Sequence, residues 1–240
     1  MAETYRYTLV KPARLLFSSI TEKSAPRGVM NATPKFSGTF GVEKEDFDAI
    51  VQIMVQGITA ELGSFSGNPN DYYLACMSGK TAGARAIAKA DLDAQGKSPD
   101  EAFKIKERAQ KRAELYAPYA GIITASSQYD VELARLEAGK IVDIPNEEHA
   151  RARAGKDYFY PGAYVVPAMA FKAFRRKTLD AKDGVTAYLQ NCLFVRKGER
   201  LAGGGGPANN EVFGSFAGYS DYDPTANAPT NTDVGEQHDF

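Results

Sequence analysis

Rings and cations alternate along two late stretches of the chain. "GKDYFYPGAY" holds Lys156, Tyr158, Phe159, Tyr160 and Tyr164, and "FKAFRRK" adds Phe171, Lys172, Phe174, Arg175, Arg176 and Lys177. A single-stranded nucleic acid asks for this mixture: cations along its phosphates and flat surfaces for its exposed bases, with each useful stack worth ~1–3 kcal/mol. Strands also favour Tyr and Phe as core residues, so the charges carry more of the expectation than any one ring. Lys172, Arg175, Arg176 and Lys177 are the phosphate-contact candidates. Tyr158 and Tyr160 share one face of an alternating segment and are the stacking candidates beside Lys156, which directs Phe159 into the core. Arg151 and Arg153 form another alternating basic pair. Lys104, Lys106, Arg108, Lys111 and Arg112 surround a predicted helix, where Glu107 and Glu114 dilute their field and favour ordinary helix solvation.

Other chemistries find less support. "SGKT" at residues 78–81 lacks the glycine that a phosphate loop places five positions before Gly79, where this chain has Leu74, so a helix start is expected there. Glycines 203–206 have no strand-to-helix context and read as a hinge. Cys76 and Cys192 are isolated, and neither His149 nor His238 belongs to a ligand cluster, so neither a metal nor a cofactor is expected. Each cysteine reads as a small core residue. No catalytic residue is assigned, because no nucleophile, base or cofactor site is argued by spacing.

The elements that must position the late residues follow from hydrophobic period. Tyr5, Tyr7 and Leu9 alternate, "ARLLFSSI" is a second short apolar run, and "KFSGTFGV" puts Phe36, Gly38, Phe40 and Val42 on one strand face. Glycine among those rings marks a bend or a close backbone approach. The period then lengthens, and Phe47, Ile50, Val51, Met54, Val55, Ile58 and Leu62 form a helical stripe. A second helix is expected over "GARAIAKADLDAQ". A third starts at Ser98, with Pro99 in its first turn and Glu101 in the reciprocal capping position, and ends before Pro118. "YAGIITASSQYDVELARL" and "KIVDIP" return to strand. In "GAYVVPAMAFKAF", Tyr164, Val166, Ala168 and Ala170 face one way and Val165, Met169 and Phe171 the other, with Pro167 implying an interrupted ladder or an edge. "GVTAYLQNCLFVR" is one further strand. The expected fold class is mainly β with inserted helices.

Charge is unevenly divided. Residues 1–79 carry 7 basic and 8 acidic residues, 80–200 carry 22 and 16, and 201–240 carry none and 6. A modestly basic body with an acidic end presents opposite fields to different partners, and also serves solubility. From "AGGGGPANN" onward large aliphatic residues almost vanish, so the segment is expected to be flexible or loosely laid against the body. The opening "MAETYRYTLVKPARLLF" is broken by charge too often for a secretion signal, and no run approaches the roughly 20 apolar residues of a membrane span. A soluble intracellular protein that does not engage a membrane is expected.

"GKDYFYPGAYVVPAMAFKAF", followed by "GVTAYLQNCLFVRKGERLAGG", resembles a family of phage proteins associated with single-stranded DNA binding through an oligonucleotide-binding barrel. "KPARLLFSSI" and "PKFSGTFGV" are similar to that family's opening, and the resemblance spans approximately residues 7–206. It implies an OB-fold-like Greek-key barrel elaborated by helices over residues 1–206, a tail over 207–240, and no catalytic chemistry. The segment matching "GKDYFYPG" is implied to be a turn into a strand. Tyr188 and Leu189 depart from the asparagine-rich segment of many relatives. The end of the chain resembles the acidic, aromatic-ended tails of replication single-strand binding proteins. Asp239 and Phe240 are then the recruiting tip for replication or recombination proteins, with Asp233 and Glu236 adding charge. The implied role is sequence-independent coating of single-stranded DNA in the cytoplasm of an infected bacterial host, with duplex DNA or RNA bound more weakly. A structural or assembly protein of the phage particle, and a hydrolase or nuclease, are the competing expectations.

Overall fold

The computed structural model describes residues 4–25, 32–68, 71–176 and 182–201. They belong to one unit that ends at Leu201. Three strands, β1 (Thr4–Thr8), β2 (Ala13–Ser24) and β3 (Lys35–Val42), lead into helix α1 (Lys44–Leu62). Two short strands, β4 (Tyr73–Leu74) and β5 (Cys76–Met77), precede a helical hairpin of α2 (Gly79–Asp93) and α3 (Pro99–Tyr116). Strands β6 (Gly121–Ser127), β7 (Glu132–Glu137) and β8 (Lys140–Ile144) come next, followed by helix α4 (Glu148–Asp157). The long strands β9 (Tyr164–Phe174) and β10 (Gly184–Arg196) complete the described chain.

The pairings run in a ring. β2 pairs with β3, β3 with β6, β6 with β10, β10 with β9, and β9 again with β2. The β6–β10 junction is parallel and the other four are antiparallel. β1 adds to β9, β7 and β8 extend the sheet from β10, and β4 and β5 pair with β10 and β6.

Alternation decides which side chains enter the interior. Phe36, Gly38, Phe40 and Val42 are all buried, as their spacing predicts. A Cβ on Gly38 would lie 2.5 Å from Phe40 Cζ, so the glycine is the close approach that lets the Phe40 ring lie over the backbone. Phe40, Phe171 and Phe159 are fully buried in one core with Ile50, Met54 and Ile58 of α1 and Ala154 of α4. Each such large side chain contributes about 1.5–3 kcal/mol of burial. Cys76 and Cys192 sit in this core, where burial pushes both thiols well above their ordinary range and removes them from thiolate chemistry.

Asp46, in the first turn of α1, is buried and accepts from the Tyr7 hydroxyl at 2.9 Å and from the backbone N–H groups of Val10 and Lys11 at 2.8 and 3.2 Å. This clamp ties the β1–β2 connection to α1. Ser78 caps α2 by accepting from Thr81 N–H, so "SGKT" is a helix start. Ser98 caps α3 by accepting from Glu101 N–H at 3.4 Å, and its hydroxyl donates to the Glu101 carboxylate at 3.2 Å.

One expectation needs correction. The fold is mixed α/β, with the three expected helices and a fourth: "EHARARAGKD", whose Arg151 and Arg153 the spacing makes an alternating pair, is helix α4. Alanine, glutamate and arginine favour helix, but the segment lacks the large apolar stripe that reveals one. Of the two readings of Pro167, an interrupted ladder or an edge, the structure has the first, since β9 lies between β1 and β10. The interruption is real: the β9–β10 register shifts between Leu189 and Asn191, beside the pair Cys192 and Pro167, and β1 pairs no further than Ala168.

Candidate nucleic-acid interface

Residues opposite one another in a ladder face the same side of the sheet. Reading across the strands therefore gives rows of neighbouring side chains. On the outside of the ring one row runs Arg6, Ala170, Tyr188, Ser126, Ser37 and Ser19. Two positions along the same strands, Lys172 lies opposite both Thr4 and Thr186, while Thr124, Thr39 and Phe17 continue across β6, β3 and β2. Beyond these, Gly184 lies between Phe174 and Tyr73, whose rings sit 6.3 Å apart.

The floor of this face is small and hydroxylated. Ser19 and Ser37 join Oγ to Oγ at 2.7 Å, and Thr39 and Thr124 do so at 3.3 Å. Rings bound it on two sides. Phe17 is 37% exposed, Tyr188 46% and Tyr73 56%, although Leu15 of β2 and Ala187 and Leu189 of β10 are closed to solvent. Three strand spacings, about 14 Å measured along the sheet, separate β2 from β10 across the floor, and Phe17 and Tyr188 lie in adjacent rows. Arg6 and Lys172, both exposed, supply positive charge on this face, and neither row holds a carboxylate. Flat rings, a shallow hydroxyl floor and flanking cations can stack bases and neutralise phosphates.

Lys172 is the sequence-derived candidate that lands on this face. Arg175 follows β9 and is pinned to the end of α1: its Nη2 donates to the Glu61 carbonyl at 2.6 Å, and its Nε lies 3.7 Å from the Glu61 carboxylate. Arg176 donates its backbone N–H to Asp183 at 2.6 Å. Lys177 lies outside the described residues, as do Asp233, Glu236, Asp239 and Phe240.

The remaining candidates are placed elsewhere. Arg151 and Arg153 occupy α4, not an alternating strand. The Arg151 guanidinium is buried, donates to the carbonyls of Ile20, Thr21 and Val131 and to Asn146 Oδ1, and lies 4.7 Å from the Phe36 ring centre. Desolvation lowers its pKa from the ordinary value. Its hydrogen-bonding capacity is spent inside the protein. Arg153 is exposed but bridges Asp157 at 3.2 Å. Lys156 is exposed on α4, and its carbonyl accepts from Arg200 at 2.6 Å.

Tyr158, Phe159 and Tyr160 form a turn into β9 rather than an alternating strand. Phe159 enters the core as expected. Tyr158 packs 5.1 Å from the Phe194 ring, under Arg135. The buried Tyr160 ring lies under Arg200 at 4.0 Å, and its hydroxyl donates to the Gly198 carbonyl and accepts the Gly198 N–H. Gly162 adopts φ +108°, and a Cβ there would meet the Glu199 carbonyl at 1.9 Å, which seats "KGER" directly on the turn. Tyr164, at the start of β9, accepts from Arg14 at 3.3 Å and lies under Arg196 at 3.5 Å. The Arg14 hydrogen bond leads the causes that lower its pKa.

Sequence reasoning missed Arg6, Phe17, Tyr73 and Tyr188 as members of one surface. Alternation held part of the signal: with Phe36, Gly38 and Phe40 inward, Ser37 and Thr39 must point out, and Tyr188 falls between the buried Ala187 and Leu189. What no local pattern carries is the registry that places them side by side. Among the described residues, no group of three or more His, Cys, Asp or Glu side chains could hold a metal ion.

No family model matches the chain, and no curated protein sequence matches it. The structure matches those of several phage single-stranded DNA-binding proteins. A complex of the protein from bacteriophage Enc34 with single-stranded DNA is 16% identical, with a TM-score of 0.48, covering 83% of this chain and 89% of that one. The protein encoded by bacteriophage T7 is 10% identical, with a TM-score of 0.43, covering 98% of this chain and 100% of that one. A C-terminal truncation of the Enc34 protein is 14% identical over 82% of this chain and 88% of its own, with a TM-score of 0.50. The likeness to this truncated protein is one of fold, a mixed α/β arrangement around a ring of strands.

Proposed function

We propose that this protein binds single-stranded DNA without sequence preference and coats it during phage DNA replication or recombination in the host cytoplasm. The observation that carries the reading is the outer face on which Phe17 and Tyr188 flank a floor of serine and threonine hydroxyls, with Arg6 and Lys172 among them. Bases would stack on the exposed rings, phosphates would meet the cations, and small hydroxyls would accept any base edge. A floor without large side chains sets no sequence requirement. The ring order, with one parallel junction among antiparallel ones, supports an OB-fold-like Greek-key barrel extending to about residue 206. Arg175, Arg176 and Lys177 belong to the connection that follows β9 and would extend the phosphate contacts. No chemical step is required of the protein.

The segment from 207 to 240 would act as an acidic tail, with Asp233 and Glu236 contributing charge and Asp239 and Phe240 forming a tip for replication or recombination proteins. Duplex DNA and RNA would bind more weakly, through phosphates alone or with poorer stacking.

Fluorescence anisotropy tests both parts, using a labelled single strand and its matched duplex, the full chain and a version ending at Asn210, across a salt series. Preferential single-strand binding that weakens with salt is expected, and tightening on truncation is expected if the tail shields the face. Absence of single-strand binding at low salt would overturn the reading.

A further inference from the structure

We infer that the nucleic-acid path does not end at Phe17 but turns onto helix α3, where Lys104, Arg108 and Arg112 form a second set of phosphate contacts. The inference rests on the proposed binding to the outer face. Its starting point is an unusual junction: the Arg112 guanidinium lies 5.1 Å from the Phe17 ring centre, while Tyr116 meets the same ring edge-on at 6.3 Å. One ring thus belongs to both the sheet face and the helix.

Four-residue spacing puts Lys104, Arg108 and Arg112 along one flank of α3. All three are exposed, and the stripe extends about 12 Å from Arg112 to Lys104 at the helical rise per residue. The helix is not uniformly basic in effect. Lys106 bridges Asp91 at 3.0 Å and Lys111 bridges Glu107 at 2.7 Å, which leaves Asp100, one four-residue step before Lys104, as the acid at the far end of the stripe. Glu114 accepts from Gln110, and Glu101 is held at the helix start by Ser98. Among the described residues no carboxylate forms an ion pair with Lys104, Arg108 or Arg112. A polyanion leaving Phe17 would find three cations in line before it reached Asp100.

The hairpin is also fixed well enough to serve as a rail. Leu16 of β2 and Ile122 of β6 pack with Ala82 and Tyr116, and Gly83 lies against Ala113 closely enough that a Cβ there would sit 3.1 Å away.

The test compares two double substitutions on the full chain. K104A/R108A removes two cations of the proposed stripe, and K106A/K111A removes the same charge from two lysines that are already ion-paired. Alanine is the strongest helix former, so both should fold, which thermal unfolding checks. Binding is measured to oligothymidylates of about 6 and about 20 nucleotides, a range chosen to span single-barrel site sizes. On the longer strand K104A/R108A should flatten the logarithmic salt slope by about 1.4, at about 0.7 per lost contact, and weaken binding about tenfold at low salt. K106A/K111A should change the slope little, and the loss on the short strand should be smaller than on the long one. Equal losses from the two variants, an unchanged slope in K104A/R108A, or equal losses on both lengths would each overturn the inference. Failure of the unsubstituted protein to bind either strand would instead sink the underlying reading of the face.

Discussion

Around the turn that follows α4, three tyrosines each have a cation over them: Arg200 lies 4.0 Å from the centre of Tyr160, Arg135 5.5 Å from that of Tyr158, and Arg196 3.5 Å from that of Tyr164. On the outer face of β3, β6 and β10 the composition is similar but the arrangement is reversed. There Tyr188 stands exposed, and Lys172 and Arg6 project from neighbouring strands, while Phe17, at the margin of that face, has Arg112 over it as the turn tyrosines have theirs. A cation lying on a ring occupies the surface that a base would use, and such a pair contributes about 0.5–1 kcal/mol at an exposed site. Interleaved rings and cations in a sequence therefore describe two opposite devices. One holds a turn together; the other leaves both groups for a ligand.

The largest way to break this comparison is at Arg151. If it belongs to the holding device, Arg151→Ala removes a buried guanidinium from three carbonyls and Asn146 and should cost on the order of 3 kcal/mol. Urea denaturation should show the loss, with little change in single-strand affinity per folded molecule. A variant of normal stability that binds poorly would place Arg151 in the other class.

Tyr188 and Tyr160 give the next contrast. Tyr188→Ala should weaken single-strand binding by ~1–3 kcal/mol, the value of one base stack, and leave the denaturation midpoint nearly unchanged. Tyr160→Phe deletes the hydroxyl that donates to the Gly198 carbonyl, so it should cost about 1 kcal/mol of stability and little affinity. A titration in which the two variants bind alike would remove the distinction between the regions. Charge sharpens it further. Lys172→Ala should flatten the salt slope by about 0.7, whereas Arg153→Ala, whose cation already bridges Asp157, should alter it less.

The strands and the longer helices were legible because their burial patterns are periodic. Phe36 to Val42 and Phe47 to Leu62 announce their inner faces, and Ser98, Pro99 and Glu101 announce a helix start. α4 was not, because its buried side includes an arginine rather than an apolar stripe. The candidate face was legible only in part. Lys172 is singled out by local charge, but Arg6, Phe17 and Tyr188 come from β1, β2 and β10, and only the pairing brings them to one face. Tyr158 and Tyr160 misled for a related reason: a two-residue alternation implies a strand, whereas the helix end and Gly162 make a turn that folds "KGER" over the rings.

Tyr7 offers the smallest effect and a case between the two classes, since its strand carries Arg6 to the face while its own hydroxyl is tied down by Asp46. Burial, followed by the hydrogen bond to Asp46 and its charge, pushes the Tyr7 hydroxyl from 10.0 up to about 12. A folded-state value above the unfolded one gives stability that is complete below pH ~10 and is lost as the pH rises through ~12, where the folded state too must ionise. Tyr7→Phe should cost about 1 kcal/mol or less at pH 8, the net worth of one hydrogen bond. Its deficit relative to the unsubstituted protein should then shrink between pH ~10 and ~12, because phenylalanine has no proton to lose. Urea midpoints of both proteins across that range check the sign, and a deficit that stays constant would show that the Asp46 clamp does not depend on the Tyr7 proton. Salt titrations of Tyr7→Phe at pH 8 then separate holding from binding: an unchanged slope means that the Val10 and Lys11 N–H groups alone keep β1 seated and Arg6 on the face.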